Sequence, residues 1–319
     1  MKRAYLIGIV AVVLGLTAHA TNLNVYCGGK RFPNTITGAL KLLNPQGPNT
    51  LTVYGTCNEN VWIQGFNRLN LITTTGATIN DASGGTGTVV VIWDTTDISL
   101  QGFTINGGVV GVWCFNFSVC RFDGNTVQGT SGAAIFVDQS RATFGANTIQ
   151  NNNADGLDVG GLSSVRTYGG LLIQQNQGQG VFVGDSGFFS SGGDTIQNNA
   201  GSGIYATDNG SVFLFGTTVA RNSAHGVYAQ GHASADFYDA NVVTGNAADG
   251  VVVMDATYVH FGGENTITGN GWLDVDCEPQ YPVTRGVHAN IGGGTTNCTE
   301  PQTPQMGRGV QSQMHKPVH

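Results

Sequence analysis

The stretch that decides the fold is residues 147–159, which read NTIQNNNADGLDV. Similar phrases begin at Asp194 (DTIQNNAGSGIYA), Thr217 (TTVARNSAHGVYA), Asn241 (NVVTGNAADGVVV) and Asn265 (NTITGNGWLDV). Each phrase has an aliphatic residue followed three positions later by Asn, and most have a Gly–aliphatic pair four to five positions after that Asn. A phrase that returns at a nearly fixed interval indicates a repeat architecture.

The aliphatic residue before each Asn serves as a register mark for the repeat. Successive marks are 22 to 24 residues apart over eight units, which is typical of a solenoid in which each unit packs only on its neighbours. The marks are Ile105, Val127, Ile149, Ile173, Ile196, Val219, Val243 and Ile267.

Two apolar positions follow the mark with the spacing of a β-strand. Positions eight and ten after most marks are aliphatic, so they point inward while position nine points outward. Another short strand follows in each unit, for example at 212–214 and 259–261. Three short strands per unit without helical spacing predict a triangular parallel β-helix. Leucine-rich repeats share the period, but these units lack a repeated leucine-rich signature.

The repeated Asn and Gly are interpreted as corner residues of the coils. Stacked Asn amides can hydrogen-bond along a column and satisfy backbone groups at the corner, although a row of binding residues is the functional alternative. The Gly at position seven is expected to supply a positive φ where the next strand begins. The predicted ladder consists of Asn152, Asn176, Asn199, Asn222, Asn246 and Asn270.

The N-terminus reads as a signal peptide covering residues 1–20. Lys2 and Arg3 precede a short apolar run at 5–16, and Ala18-His19-Ala20 has the small-x-small pattern of a cleavage site. The run is too short to span a bilayer comfortably, and an uncleaved anchor is the alternative. We expect a secreted monomer, extracellular or periplasmic, with no membrane span after cleavage.

Charge and cysteine content agree with an exported chain. Without Lys2 and Arg3, 11 basic residues remain against 20 acidic ones, a formal charge of −9. No basic stripe is present, so nucleic acid is not an expected partner. An even number of cysteines in an exported protein indicates disulfides, and six cysteines allow 15 connectivities. Proximity in the sequence favours Cys27 with Cys57, Cys114 with Cys120, and Cys277 with Cys298.

The two ends of the solenoid have their own patterns. Ile36, Ala39, Leu40 and Leu43 lie at helical spacing within 35–43, ahead of the first coils. We divide the mature chain into an N-terminal cap with the first coils (21–104), regular coils (105–276), a C-terminal disulfide cap (277–300) and a disordered tail (301–319).

The region after this helix resembles the pectin-lyase-like right-handed β-helix superfamily. In that superfamily a short helix caps the N-terminal end, and strands of the type G-T-x-x-E-N-V-x-I and G-A-T-I begin the coils, which residues 55–63 and 76–79 match. The resemblance covers roughly residues 33–290. It implies an all-β, right-handed, single-stranded parallel β-helix with a short capping helix, and it does not choose among the superfamily's polysaccharide-active enzymes and its proteins without known activity.

The motifs of the enzyme families are incomplete. Residues 153–158 (NADGLD), with Asp155 and Asp158, resemble the polygalacturonase motif N-T-D-G-x-D, but no adjacent Asp pair occurs and Gly231-His232-Ala233 departs from G-H-G. Corner geometry explains the motif more simply. Pectate-type lyases need basic residues near acidic calcium ligands, and only Arg166 and Arg221 lie near the middle of the coils. The pectin esterase pattern is not supported either.

Two outward columns are the candidates for a site. Position nine holds Phe182, Tyr205 and Tyr228, an aromatic strip that would contact sugar rings or simply stabilise neighbouring strands. Position twelve holds Asp185 and Asp208 on adjacent coils, with His232 beside them on the next. The two carboxylates are solvated turn residues, they bind a cation such as calcium, or one of them holds a raised pKa. Calcium is the one candidate cofactor, although none is required.

These features predict a secreted protein that binds or processes extracellular polysaccharide along the aromatic and acidic face. The candidate catalytic residues are Asp185, Asp208, His232, Asp155 and Asp158. The alternative is a non-enzymatic surface, adhesion or spacer protein built on the same solenoid.

Overall fold

The computed structural model describes residues 20–278 and 284–299. Apart from Ala20, the predicted signal peptide lies outside these residues, and so does the predicted tail. Within the described residues the chain winds through about ten coils, and every coil contributes a strand to each of three parallel sheets.

The three sheets are named by their order in a coil. Sheet C comprises β3 (Val61–Gln64), β6 (Val90–Trp93), β9 (Val112–Phe115), β12 (Ile135–Asp138), β15 (Leu157–Gly160), β18 (Val181–Val183), β21 (Ile204–Ala206), β24 (Val227–Ala229), β27 (Val251–Val253) and β30 (Val275–Cys277). Sheet A comprises β1 (Thr21–Cys27), the first half of β2 (Pro48–Asn58), β4 (Arg68–Ile72), β7 (Ile98–Gln101), β10 (Val119–Asp123), β13 (Arg141–Phe144), β16 (Ser164–Thr167), β19 (Phe188–Gly192), β22 (Ser211–Phe215), β25 (Ser234–Asp239), β28 (Tyr258–Phe261) and β31 (Thr284–Arg285). Sheet B comprises the end of β2, β5 (Thr78–Asn80), β8 (Thr104–Asn106), β11 (Thr126–Gln128), β14 (Thr148–Gln150), β17 (Leu172–Gln174), β20 (Thr195–Gln197), β23 (Thr218–Ala220), β26 (Val242–Thr244) and β29 (Thr266–Thr268).

The register marks lie directly above one another in sheet B. Each mark from Ile105 to Ile267 pairs with the next in the parallel ladder. The column continues upstream through Ile79 to Cys57, so two earlier coils share the register although their sequences do not show the phrase. The prediction of an all-β parallel β-helix is confirmed.

The interior is a column of aliphatic and aromatic side chains. Positions eight and ten of the repeat are buried, as at Val181 and Val183, and the intervening position faces outward. Phenylalanines from sheet A stack inside the coils, with ring centroids 5.0 Å apart for Phe122 and Phe144. One continuous core therefore runs the length of the solenoid.

A helix of one to two turns, α1 (Ile36–Leu40), lies near the N-terminal coils. Thr35 caps it, since its hydroxyl accepts a hydrogen bond from the Gly38 amide at 3.0 Å. Glu59 from the next coil accepts from the amides of Ile36 and Thr37 at 2.6 and 2.9 Å. The helical face predicted from the sequence, including Leu43, is buried.

The Asn ladder is confirmed. Each side-chain amide donates to the side-chain oxygen one coil further on at 2.8 to 3.0 Å, from Asn152 through to Asn270. The same oxygen accepts from a backbone amide of the coil before, as at Asn176 N and Asn199 Oδ1. The left-handed residue at this corner is the one before the Asn, for example Asn151 and Asn198.

A second Asn column, which the sequence analysis missed, lies at the corner between sheets A and B. Asn125 donates to Asn147, and Asn241 donates to Asn265, both at 2.9 Å. Its signal was the Asn two residues before the mark in the phrase NTI. In one coil the buried residue Asp194 takes the place of the Asn in this column. Its carboxylate accepts hydrogen bonds from the Leu171 amide and the Ser191 hydroxyl at 3.0 and 2.7 Å.

The prediction that the repeated glycines adopt a positive φ is wrong. Gly156, Gly180, Gly203, Gly226 and Gly250 have ordinary φ values. Their requirement is steric, because a Cβ on Gly156 would lie 2.6 Å from Ile173 Cγ2 and 2.7 Å from the Gly180 carbonyl oxygen. The glycines let the corner approach the next coil.

Three disulfides join the predicted pairs, Cys27–Cys57, Cys114–Cys120 and Cys277–Cys298. The first joins β1 to β2, and the third joins β30 to the segment after β31, so both tie neighbouring coils near the two ends of the described chain. Among the described residues, no helix has the length and apolar character needed to cross a membrane.

Replacing Gly156 by Ala is expected to destabilise the protein by about 1–3 kcal/mol, because the added methyl group meets a packed coil that cannot move without losing its ladder. Gly192→Ala is the matched control, since its Cβ would have only the Thr167 oxygen nearby, at 3.9 Å. Urea denaturation of the two variants measures the difference. Equal midpoints would contradict the steric explanation.

Asn199→Ala is expected to cost at least ~2 kcal/mol, because it leaves buried donors of Asn176 without their acceptor. Asn153→Ala removes the same side chain from an exposed position that has no side-chain hydrogen bond, and it should change stability by less than about 0.5 kcal/mol. Thermal and chemical denaturation provide the comparison, and the ladder has no energetic role if both variants behave alike.

Candidate functional site

The candidate site is the outer face of sheet C. Its strands pair in register, so the outward-facing position of each strand, which is position nine of the repeat from Phe136 onward, forms one column about 4.8 Å from coil to coil. In order along the solenoid the column is Trp62, Val91, Trp113, Phe136, Asp158, Phe182, Tyr205, Tyr228, Val252 and Asp276.

The structure places Phe182, Tyr205 and Tyr228 on adjacent coils, as the spacing predicts. The rings of Phe182 and Tyr205 are stacked at 5.7 Å, and those of Tyr205 and Tyr228 at 5.3 Å with planes 2° apart. The Tyr228 hydroxyl donates to Met254 Sδ at 2.9 Å, and Gln230 donates to the Tyr205 hydroxyl. Because the rings cover one another, a ligand meets their edges.

Two further aromatic groups on this face were not found from the sequence. The upstream group is a chain of ring contacts. The ring of Trp93 contacts those of Trp62 and Phe115. Trp113 contacts Phe115 and stacks on Phe136, with ring centroids 5.9 Å apart in the second pair. Trp62 and Trp93 precede the first register mark. The turn after Ile105 is one residue shorter than the later ones, so position nine counted from this mark falls on Cys114 and misses Trp113.

Downstream, Trp272 extends the aromatic surface beyond Tyr228. Its side chain is 72% exposed, and its ring meets the ring of His225 edge-on at 6.2 Å, while His225 lies 5.1 Å from Tyr228. His225 Nδ1 also lies 3.2 Å from a carboxylate oxygen of Asp249, and burial lowers the pKa of His225 despite that carboxylate. Trp272 therefore offers an open ring surface that the stacked tyrosines do not.

Asp158 interrupts the aromatic column between Phe136 and Phe182. Burial is the largest cause that raises its pKa to about 7, and the neighbouring carboxylate of Asp155 adds to the effect. Asp158 Oδ1 is buried without a hydrogen-bond partner. Asp158 is thus a carboxylic acid that is half protonated near neutral pH and has an unsatisfied oxygen.

Asp155 is both a corner residue and the partner of Asp158. It accepts a hydrogen bond from the Gln179 amide of the next coil at 2.5 Å, and its carboxyl group contacts that of Asp158. Burial raises the pKa of Asp155 as well. The interpretation of the motif NADGLD as corner geometry alone is therefore incomplete, because its second Asp faces outward on the aromatic column.

Asp185 lies close to the end of the strand that carries Asp158. The strand that carries Asp158 ends at Gly160, and a Cβ built there would lie 3.9 Å from Asp185 Oδ2 and 3.7 Å from the Phe136 ring. On the coil before, Asp138 occupies the space left by Gly161, and burial and the charge of Asp185 raise the pKa of Asp138. Asp138 and Asp185 therefore lie beside a backbone segment without side chains, Gly160-Gly161, which begins two residues after Asp158.

Asp208 and His232 follow Asp185 on the same turn of later coils. All three have a positive φ, and the Ser186 amide donates to the Asp208 carbonyl oxygen at 2.9 Å. Burial is the larger cause that raises the pKa of Tyr205, and the carboxylate of Asp208 adds to the effect. His232 is exposed, and it forms no ion pair with a described acidic residue.

Calcium binding at Asp185 and Asp208 stays a prediction. Among the described residues, no third His, Cys, Asp or Glu joins these two in a group compact enough to surround an ion. The one compact group found contains Cys27 and Cys57, which form a disulfide, together with Glu59.

Comparison with known proteins defines the family. The model of the family described as right handed beta helix region matches residues 133–299, more than half of the chain. The chain belongs to this family. Among solved structures, the A-module of mannuronan C-5 epimerase AlgE6 from Azotobacter vinelandii has a TM-score of 0.56 at 12% identity, covering 83% of this chain and 91% of that chain. Pectate lyase Pel9A has a TM-score of 0.56 at 11% identity, covering 88% and 82%. No curated protein sequence matches the chain.

The right-handed β-helix protein thus has a pectin-lyase-like fold, as the sequence resemblance implied. At identities this low, the two solved structures show the fold alone. The activities named for them belong to those proteins.

Stability should fall as pH rises from about 4 to about 7, because the folded protein holds a proton on Asp158 that the unfolded chain releases near pH 4. Asp158→Asn removes this penalty, so the variant should melt at a higher temperature than the wild type at pH 8, with little difference at pH 4. If the melting temperatures of the two proteins change with pH by the same amount between pH 4 and pH 8, the raised pKa of Asp158 is contradicted.

Proposed function

We propose that the protein binds a linear polysaccharide along the outer face of sheet C and cleaves its glycosidic bonds at Asp158. The observation that carries the proposal is a carboxylic acid with a raised pKa that lies between Phe136 and Phe182 in a largely aromatic column. Neutral acids held in apolar surroundings are how enzymes keep a proton donor near neutral pH.

The geometry of the face suits an extended chain. The aromatic residues run from Trp62 to Trp272 across the coils, and a polymer lying along the solenoid axis would meet a side chain about every 4.8 Å. Trp272 gives a sugar ring an open aromatic surface, and the stacked residues give ring edges. Two buried polar atoms without partners, Trp113 Nε1 and Asp158 Oδ1, belong to this column and would be satisfied by ligand hydroxyl groups.

The acids around Gly160 supply the two roles that glycoside hydrolysis requires. Asp158 donates its proton to the departing glycosidic oxygen, and Asp185 activates a water molecule that attacks the sugar carbon. Asp155 holds the proton on Asp158 through the carboxyl contact. The outcome is one broken C–O bond, with the water oxygen on one product and the proton on the other.

The second candidate is a secreted surface, adhesion or spacer protein without catalysis. The stacking of Phe182, Tyr205 and Tyr228 favours it, because rings whose faces are covered by each other stabilise neighbouring strands even without a ligand. Secretion itself is part of both proposals and is supported by the three disulfides.

The test combines glycan retention with product release. In affinity electrophoresis on a panel of neutral and acidic plant and bacterial polysaccharides, the wild type should be retained. The double variant Tyr205→Ala/Tyr228→Ala and the variant Trp272→Ala should be retained less. Tyr238→Ala is the control, because Tyr238 is an exposed tyrosine on sheet A, outside the proposed face. Equal retention of all variants would remove the proposed face.

Asp158→Asn should keep retention but reduce the release of shortened products by about 10²–10⁴-fold, the usual contribution of a general acid. Product release by the wild type should decline above pH 7 as Asp158 loses its proton. Retention without any product from the wild type on every retained polymer would favour the non-enzymatic alternative.

A further inference from the structure

The outer face of sheet B is a regular array of small uncharged side chains. Each short strand of this sheet has a buried middle residue with an outward residue on either side, as Thr148 and Gln150 flank Ile149. Because the coils pair in register, the outward residues form two columns. The first is Thr56, Thr78, Thr104, Thr126, Thr148, Leu172 and Thr195, and the second is Asn58, Asn80, Asn106, Gln128, Gln150, Gln174 and Gln197. We call these two columns the hydroxyl–amide face.

The amide column is held in one conformation by its own hydrogen bonds. From Asn80 to Gln197, each side-chain amide donates to the side-chain oxygen of the coil before at 2.9 to 3.3 Å. Arg221 ends the column by donating to the Gln197 oxygen. Each amide keeps a second N–H and a second oxygen lone pair for an external partner. These long side chains are therefore already ordered before anything binds to them.

The threonine column adds a second ordered row to the same face. Thr has a branched Cβ that restricts its rotamer, and it presents a methyl group together with a hydroxyl group. Thr78, Thr104 and Thr126 pair in register, so these groups recur about every 4.8 Å along the solenoid. The two columns are two residues apart along each strand, which separates them by roughly 7 Å. The face is thus a two-dimensional lattice of uncharged groups, interrupted only by Leu172.

A lattice of this kind matches a partner that is itself periodic. None of the outward side chains is charged, so an ionic mineral or a polyelectrolyte finds no opposite charge on this face. The aromatic, Met and Arg residues that are enriched in protein interfaces are absent from the two columns, and so is the aromatic surface that sheet C offers to a sugar. Crystalline water is uncharged, periodic and bound by donors and acceptors. Along one axis, hexagonal ice repeats at a spacing within a few tenths of an ångström of the coil repeat.

We propose that the hydroxyl–amide face binds ice. The Thr hydroxyls and the free amide groups hold water molecules near the oxygen positions of the crystal surface, and the Thr methyl groups fill the spaces between them. Each such contact is weak, because it replaces a hydrogen bond to liquid water. The contacts add up because the coils present them at one fixed spacing on ordered side chains. The site lies on a different sheet from the aromatic column and requires neither a polysaccharide nor Asp158.

The test uses the folded protein and ice alone. Fluorescently labelled wild type should be incorporated into a slowly growing ice hemisphere and should inhibit recrystallisation of fine-grained ice. Thr126→Tyr/Thr148→Tyr should lose both effects, because two phenol rings standing above the face keep the neighbouring coils away from the crystal. Thr143→Tyr is the matched control, since Thr143 is an equally half-buried outward residue on sheet A and its replacement should leave both effects unchanged.

Thr126→Lys/Thr148→Lys tests the same face with smaller disturbance of the strands and should also lose both effects, because two hydrated ammonium groups would lie against the ice. The melting temperature of each variant verifies that it is folded. Exclusion of the wild type from ice, as an ordinary solute is excluded, would overturn the proposal. Incorporation of a folded face variant to the same extent as the wild type would overturn it as well.

A second copy of the chain is the other possible occupant of this face. Sedimentation that shows a dimer which the face variants dissociate, together with exclusion of the wild type from ice, would assign the face to self-association instead. Tyr205→Ala/Tyr228→Ala separates this site from the proposed function, since both residues lie on sheet C. That variant should enter ice as the wild type does, whatever happens to its retention by glycans, and its exclusion from ice would contradict the assignment to sheet B.

Discussion

The parallel backbone ladder between successive coils is the constraint on which the rest of the structure depends. It fixes equivalent positions of neighbouring coils about 4.8 Å apart, so any residue repeated in the sequence becomes a column in space. At the corners the strands stop, and buried backbone amides there need other acceptors. The Asn columns supply them, since Asn199 accepts from the Asn176 backbone while it donates to Asn222. The same spacing leaves no room for a Cβ at Gly156, which explains the Gly without reference to φ.

Column formation also creates the unusual chemistry of Asp158. A carboxylate at position nine of an isolated strand would be solvated and would have an ordinary pKa. Here its neighbours above and below are Phe182 and Phe136, and Asp155 lies beside it, so the charged form loses water and gains a like charge. The register of the coils, which places Phe136 and Phe182 on either side of this carboxyl group, therefore raises its proton affinity.

The sequence predicted those features that depend on periodicity. Eight marks, the inward and outward alternation, the first Asn ladder and the stacking of Tyr205 on Tyr228 all follow from a constant interval. Features that depend on lateral proximity between columns were not accessible. Nothing in the spacing shows that Asp185 reaches over Gly160 towards the strand of Asp158, or that Trp272 lies beside His225. The coils that contain Cys57 and Ile79 were not predicted, because these two residues share the register of the later coils without sharing the repeated phrase.

Charge illustrates the same difference between composition and position. The formal net charge is −7, and this acidity argued against an anionic polymer as a ligand when averaged over the chain. A ligand responds only to charges within a screening length, about 8 Å in physiological salt. The outer face of sheet A presents Arg121, Arg141 and Arg166 on three consecutive coils, and the outer face of sheet C near Gly160 presents carboxylates. The core and the amide ladders hold the coils together without Arg141 or Asp185. Charges that contribute so little to the fold yet are segregated by sheet are best explained by what binds each face.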